Sequence, residues 1–136
     1  PPTPPHHTHP LSSAASDVYK RQEMAGAADR TPVIFRNGVG EDACPLCAAV
    51  IDLYLSILGS EAGNVALKLY ARGGVFIGGG ITPRIARRVS FDGFREAFRA
   101  KGKMAALMET FPVNIILKSD AALLGAARYG RELVIS

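Results

Sequence analysis

The 136-residue chain has no tryptophan, only two cysteines and only three histidines. His6, His7 and His9 all lie at its start, so nothing downstream carries an imidazole. That excludes a serine–histidine or cysteine–histidine nucleophile from the rest of the chain. Two thiols, Cys44 and Cys47, cannot build a disulfide framework, and they point to a reducing, cytoplasmic setting. Zinc would need two further ligands, and none follow them. No continuous apolar run reaches the roughly 18 residues that cross a bilayer, so no membrane association is expected. Charge is sparse as well, at 21% of residues with a net of +4. Arg84, Arg87 and Arg88 form the densest basic cluster, without interleaved aromatics, so nucleic acid is not an expected partner. Glu61, Asp92, Glu96, Glu109, Asp120 and Glu132 each sit where a cap or a solvated face accounts for them. No pair of carboxylates stands at a spacing that suggests acid–base chemistry.

What is present suits a globular domain or a piece of one: 48% of residues are apolar, enough to bury a core. Residues 1–22, "PPTPPHHTHPLSSAASDVYKRQ", are proline-rich, then small and polar. Their second half resembles a translated cloning-adaptor sequence, and the whole stretch is expected to be disordered. The three histidines there are expected to hold no metal. Residues 23–40 are a poorly specified junction, Gly/Ala-rich with one apolar patch at 33–35. The folded part is expected over residues 41–136.

From Asp42, a plausible N-cap, the pattern sharpens. Pro45 falls in the first turn of a helix, where a missing N–H does no harm. Cys47, Val50, Ile51, Tyr54, Leu58, Ala62, Val65, Ala66 and Leu69 recur at spacings of three and four, predicting one stripe on a helix over 43–70. Gly59 and Gly63 weaken such a helix by roughly 1 kcal/mol each, unless another backbone packs against them. Arg72-Gly73-Gly74 ends it with glycine as the left-handed cap. Residues 75–77, "VFI", read as a strand covered on both faces. Three glycines follow, and Thr82-Pro83 reads as the N-cap and first position of the next helix. Ser90 caps a helix presenting Phe91, Phe94 and Phe98, and Met104, Leu107 and Met108 mark a short helical piece. Residues 113–117 form a second strand. Asp120 caps a final helix carrying Leu123, Leu124, Ala127 and Leu133. This order of elements means α/β with parallel strands.

"VFIGGGITP" runs a strand into glycines and the glycines into a helix start. Main-chain amides and a positive helix end would face a ligand there, with no Cβ in the way. The dinucleotide fingerprint fails because Pro83 stands where its third glycine belongs, and no Walker A sequence occurs. Either a nucleotide-contacting surface or a merely tight turn satisfies the pattern. The Cys44-x-x-Cys47 pair reads as packing thiols, since no strand precedes it as a thioredoxin-like site requires.

Residues 41–134 resemble the C-terminal part of a bacterial, proteobacterial-type glucokinase. The resemblance runs through "CPLCAAVIDLYLSILGSEAGNVALKLYARGGVFIGGGITPR", "FREAFRAKGKM" and "FPVNIILKSDAALLGAARYG", in that order. It implies part of the C-terminal domain of an actin-like, ribonuclease-H-like ATPase fold. It also implies that Gly78, Gly79, Gly80 and Ile81 form an adenosine-binding surface. ATP and Mg²⁺ are the implied cofactors and glucose the implied partner of the full-length enzyme, which would transfer the γ-phosphoryl group to the sugar 6-hydroxyl. A homodimer of that enzyme and a cytoplasmic location follow from the same likeness. The family's Asp-x-Gly-Gly-Thr phosphate loop, its Asn-Asp base and its sugar-holding Glu and His are absent here, so no catalytic or metal-binding residue is assigned and the chain itself is expected to be inactive. A kinase for another hexose, or a sugar-responsive regulator on the same fold, stands as the alternative.

Overall fold

The structure, a computed structural model, describes Val18 and residues 20–135. The expectations for residues 1–17, the three histidines included, lie outside the described residues. The chain divides into two compact units, residues 1–50 and 51–136.

In the first unit, residues 20–26 are helical and α1 spans Thr31–Asn37, so helices form within stretches expected to be disordered up to residue 22 and poorly specified over 23–40. Asp29 Oδ1 accepts the Thr31 amide at 2.9 Å, supplying a partner that the helix start lacks. The same bond holds the Asp29 carboxyl below its ordinary range. Asn37 closes the unit from the other end. Its Nδ2 donates to the Val33 carbonyl at 2.9 Å, and its own carbonyl accepts the Cys44 amide at 2.7 Å. Arg36 pairs with Glu23, and Arg30 Nε donates to the Met24 carbonyl at 3.1 Å.

α2, Pro45–Leu69, begins in this unit and continues through the second. Pro45 opens it, two residues after the predicted start, and Asp42 lies outside it, because Cys44 is the residue whose carbonyl accepts the first helical bond, from Ala48 at 2.9 Å. The buried line along the helix is Cys47, Ile51, Leu55, Gly59, Gly63 and Ala66. The predicted stripe is thus shifted: Val50, Val65 and Leu69 are exposed. A helix apolar on nearly every side offers no contrast from which periodicity could pick the buried face. By length and composition α2 is also apolar enough to cross a membrane, with a mean hydropathy of 1.4 over its best window. In the second unit its buried line is covered by protein.

Gly59 and Gly63 show why. A Cβ at Gly59 would stand 2.2 Å from the Phe94 carbonyl oxygen, and one at Gly63 would stand 2.6 Å from that of Phe98. Both carbonyls belong to α4, Asp92–Arg99. The glycines that weaken α2 locally are where a second backbone lies against it. α4 also buries Phe94 and Phe98, which stack with ring centroids 6.1 Å apart. Lys101 just beyond it donates to the Ser60 carbonyl at 2.9 Å. Ser90 stands one residue before the N-cap position, which Phe91 holds, so it is not the predicted cap, although its Oγ accepts the Asp92 amide at 3.1 Å.

α2 ends without the glycine cap. Tyr70 is the left-handed residue, with φ +48°. The Ala71 amide reaches back to Ala66 and the Tyr70 amide to Leu67, the paired bonds of a Schellman end. A tyrosine there is strained by about 1 kcal/mol. Its ring meets Phe111 edge-on at 5.9 Å and the Arg72 guanidinium at 6.0 Å, contacts that offset the strain.

β1, Val75–Ile77, pairs in parallel with β2, Val113–Ile115, in the register Val75↔Val113, Phe76↔Asn114 and Ile77↔Ile115. Between them run α3 (Thr82–Ile85), α4, a 3₁₀ turn and α5 (Ala105–Met108), and α6 (Ala121–Ile135) follows β2. The parallel pair bears out the α/β expectation. Full cover of the strands does not hold, because Ile77 is buried while Phe76 is 63% exposed on the opposite face. α6 likewise exposes Leu123, Leu124, Leu133 and Val134, so its predicted apolar face meets no partner among the described residues. Asp120 precedes α6, with its carboxylate toward Lys118 Nζ at 3.9 Å rather than on the helix amides.

Gly59→Ala should destabilise the chain by about 2 kcal/mol or more, overpacking outweighing the gain in helix propensity. Gly93→Ala, with open space at its Cβ position, should be roughly 0.5 kcal/mol more stable. Urea melts of the two variants check the contrast. Asp92 gives a second check. The Ser90 hydroxyl, and next Arg95, hold its carboxyl below the ordinary range. A depressed carboxylate stabilises the fold above its unfolded pKa, and that contribution is lost as pH falls through the folded value. Ser90→Ala should therefore raise the Asp92 midpoint in a carboxyl NMR titration.

Candidate functional site

The glycine segment leaves the carboxyl end of β1, where ligands of open parallel sheets are held. Strand pairing ends just before it, with the Ile116 amide donating to the Ile77 carbonyl at 2.9 Å. Gly78, Gly79 and Gly80 are all exposed. A Cβ at Gly78 would touch only Ile116 Cδ1, at 3.6 Å, and at Gly79 or Gly80 it would meet nothing within 4 Å. Gly79 has φ +113°, a conformation that L side chains rarely adopt. The surface is therefore bare main chain, uncovered by any side chain of the described residues. Ile81 is half-buried and begins the turn into α3, its carbonyl accepting the Arg84 amide at 3.0 Å. The structure thus brings Gly78, Gly79, Gly80 and Ile81 together in one short segment, as the sequence suggested.

Two expectations need correction. α3 is only four residues long, so its dipole adds little and the positive helix end is not the main feature of the site. Thr82 is the first residue of α3 rather than its cap. Its side chain is 2% exposed, and its Oγ1 shares a hydrogen bond of 3.0 Å with Tyr54 Oη on α2. That bond joins the far side of the glycine segment to the long helix. The sequence reading missed Tyr54 in this role, counting it only in an apolar stripe. The available signal was a hydroxyl on an otherwise apolar face, which burial forces to find a partner.

A hollow of about 600 Å³ lies on one face of the sheet, between Ile77, Val113 and Ile115 and the aromatic side of α4. Residues 78–81 do not line it. Of the carboxylates weighed in the sequence, Asp92 and Glu109 border this hollow, and Asp92 is engaged with Ser90 and Arg95. Among the described residues, no three His, Cys, Asp or Glu side chains converge as a metal site would require. Cys44 and Cys47 are not joined in a disulfide. Cys47 is buried and Cys44 half-exposed, so the packing expectation holds fully only for Cys47.

The family model for glucokinase matches residues 11–133. The chain belongs to the glucokinase family. A glucokinase of Caulobacter vibrioides (strain NA1000 / CB15N) is 44% identical over 86 residues, covering 63% of this chain and 26% of that protein. One from Chromobacterium violaceum is 42% identical over 107 residues, covering 79% of this chain and 30% of that one. Among solved structures, a glucokinase from an Antarctic psychrotroph is similar with a TM-score of 0.55 and 40% identity, over 62% of this chain and 26% of that one. This glucokinase-family chain therefore spans between a quarter and a third of the length of these relatives.

Tyr54→Phe would leave the Thr82 hydroxyl buried without its partner, at a cost of about 1–3 kcal/mol. Thr82→Val in the same background should recover part of that loss, since both partners are then apolar. Chemical denaturation of the single and double variants reads the coupling.

Proposed function

We propose that this chain is the adenosine-side part of an ATP-dependent glucokinase and a portion of the C-terminal domain of an actin-like ATPase fold. The complete enzyme would transfer the γ-phosphoryl group of ATP to the 6-hydroxyl of glucose, in a cytoplasmic setting. The observation that carries this reading is the uncovered main chain of Gly78, Gly79 and Gly80 at the carboxyl end of β1.

A flat nucleoside can approach a backbone without Cβ atoms to van der Waals distance, and residues 78–81 would hold its adenosine part. ATP supplies the group that is transferred. This chain's part is to position: the Tyr54–Thr82 bond and the pairing of Ile116 with Ile77 hold the segment at both ends. A surface fixed before binding avoids an ordering cost when the nucleotide arrives. The described residues do not fit Mg²⁺, so the ion is left to the phosphates and to other parts of the complete enzyme, and none of these side chains is assigned to it. The glucose contacts and the catalytic base are likewise assigned to the rest of that enzyme. The exposed Phe76 and the apolar face of α6 are where that remainder, or a second copy in a homodimer, would pack.

Titration of the chain with a non-hydrolysable ATP analogue should shift the backbone amides of residues 78–81. Silence there, with shifts elsewhere, would overturn the adenosine site. Gly79→Val should abolish those shifts while leaving the far-UV circular dichroism unchanged. Glucose-dependent ADP release by the 136-residue chain should be undetectable, and clear turnover would refute the division of labour proposed here.

A further inference from the structure

The cysteine pair in the first unit has no part in the proposed kinase. Cys44 stands at the N-cap of a 25-residue helix, held there by two main-chain bonds: its amide donates to the Asn37 carbonyl at 2.7 Å, and its carbonyl accepts from Ala48 at 2.9 Å. Pro45 has no N–H, so the amides next in line for the Cys44 sulfur are those of Leu46 and Cys47. Hydrogen bonding from the Cys47 amide, the largest influence, brings the Cys44 thiol below its usual range, and Leu46 and the charge of Lys20 act in the same direction. Cys47, one turn on, is buried, and burial pushes its thiol up. A pair with one half-exposed, thiolate-prone sulfur and one buried sulfur whose thiol is pushed up has the asymmetry of an attacking and a resolving thiol.

Beside them is a hollow of about 490 Å³, lined by Lys20, Arg21, Arg30, Met24, Leu46 and both cysteines, with two small residues completing it. Its charged lining residues among those described, Lys20, Arg21 and Arg30, are all cations, the first two within the adaptor-like stretch. A small anion is drawn to such a site, and a cation is repelled.

We propose that Cys44 and Cys47 form a thiol–disulfide exchange site for small, carboxylate-bearing disulfides. The Cys44 thiolate attacks one sulfur of the incoming disulfide, whose S–S bond breaks and releases one thiolate. A mixed disulfide remains on Cys44. Cys47 gives up its proton and attacks the Cys44 sulfur, releasing the second thiolate and closing the Cys44–Cys47 bond. Two cysteine thiols are oxidised to one disulfide, and the small disulfide is reduced to two thiols that carry away the two protons.

The test uses the 136-residue chain with glutathione disulfide, followed by intact mass and peptide mapping. An intramolecular Cys44–Cys47 disulfide is expected. Cys47→Ser should stop at a mixed disulfide on residue 44, and Cys44→Ser should not react while folded. In the unaltered chain, brief alkylation should label Cys44 on the order of tenfold faster than Cys47, a comparison that requires no variant to fold. At low salt, cystamine, a cationic disulfide, should react several-fold more slowly than glutathione disulfide. Equal labelling of the two cysteines, adducts on Cys47 alone, or cystamine reacting as fast as glutathione disulfide would each overturn the proposal.

Discussion

The carbonyl oxygen of Phe94 occupies the space where a side chain at position 59 would have its Cβ, and the carbonyl of Phe98 does the same at position 63. Two backbones this close leave no room for adjustment between α2 and α4. α4 then carries Phe94 and Phe98 beneath the sheet, where Ile77 and Ile115 form the opposite wall. The strands are short, three residues each, and a two-stranded sheet of that size has little stability of its own. Its position follows from the helices on either side of it in the chain, and theirs follows from the glycine contact.

The bare segment after β1 inherits this arrangement. It has no side chains with which to fasten itself, so its geometry comes from its two ends: strand pairing at Ile77 and the buried Thr82–Tyr54 bond. Conformational freedom at Gly79 and rigidity at both flanks are complementary requirements. The first permits a positive φ and close approach, and the second keeps the surface from collapsing onto its neighbours.

Legibility in the sequence varied with contrast. The strands, their parallel sense, the aromatic helix and the exposed glycine run were all readable, because each has a composition that few other structures tolerate. The buried face of α2 was not: Val50 and Val65 are as apolar as Ile51 and Leu55, and only a neighbour decides between them. The left-handed end at Tyr70 was unreadable for a similar reason. Glycines nearby were the better local choice, and the Phe111 and Arg72 contacts that favour the tyrosine lie outside any local window.

Beyond residue 41, local chemistry alone therefore determined which segments become helix or strand, where the backbone is left bare, and that no histidine-based catalysis resides there, whereas the helices at 20–26 and 31–37 were not legible. Family membership was also legible, carried by the order and wording of the motifs. Tertiary structure decided which faces are covered, that Gly59 and Gly63 are contact points rather than weaknesses, and that Tyr54 and Thr82 meet across 28 residues of chain. The physical reason is common to all three. Propensity and capping act within a turn or two of helix, whereas steric fit and the pairing of buried hydroxyls depend on atoms brought together only when distant segments pack.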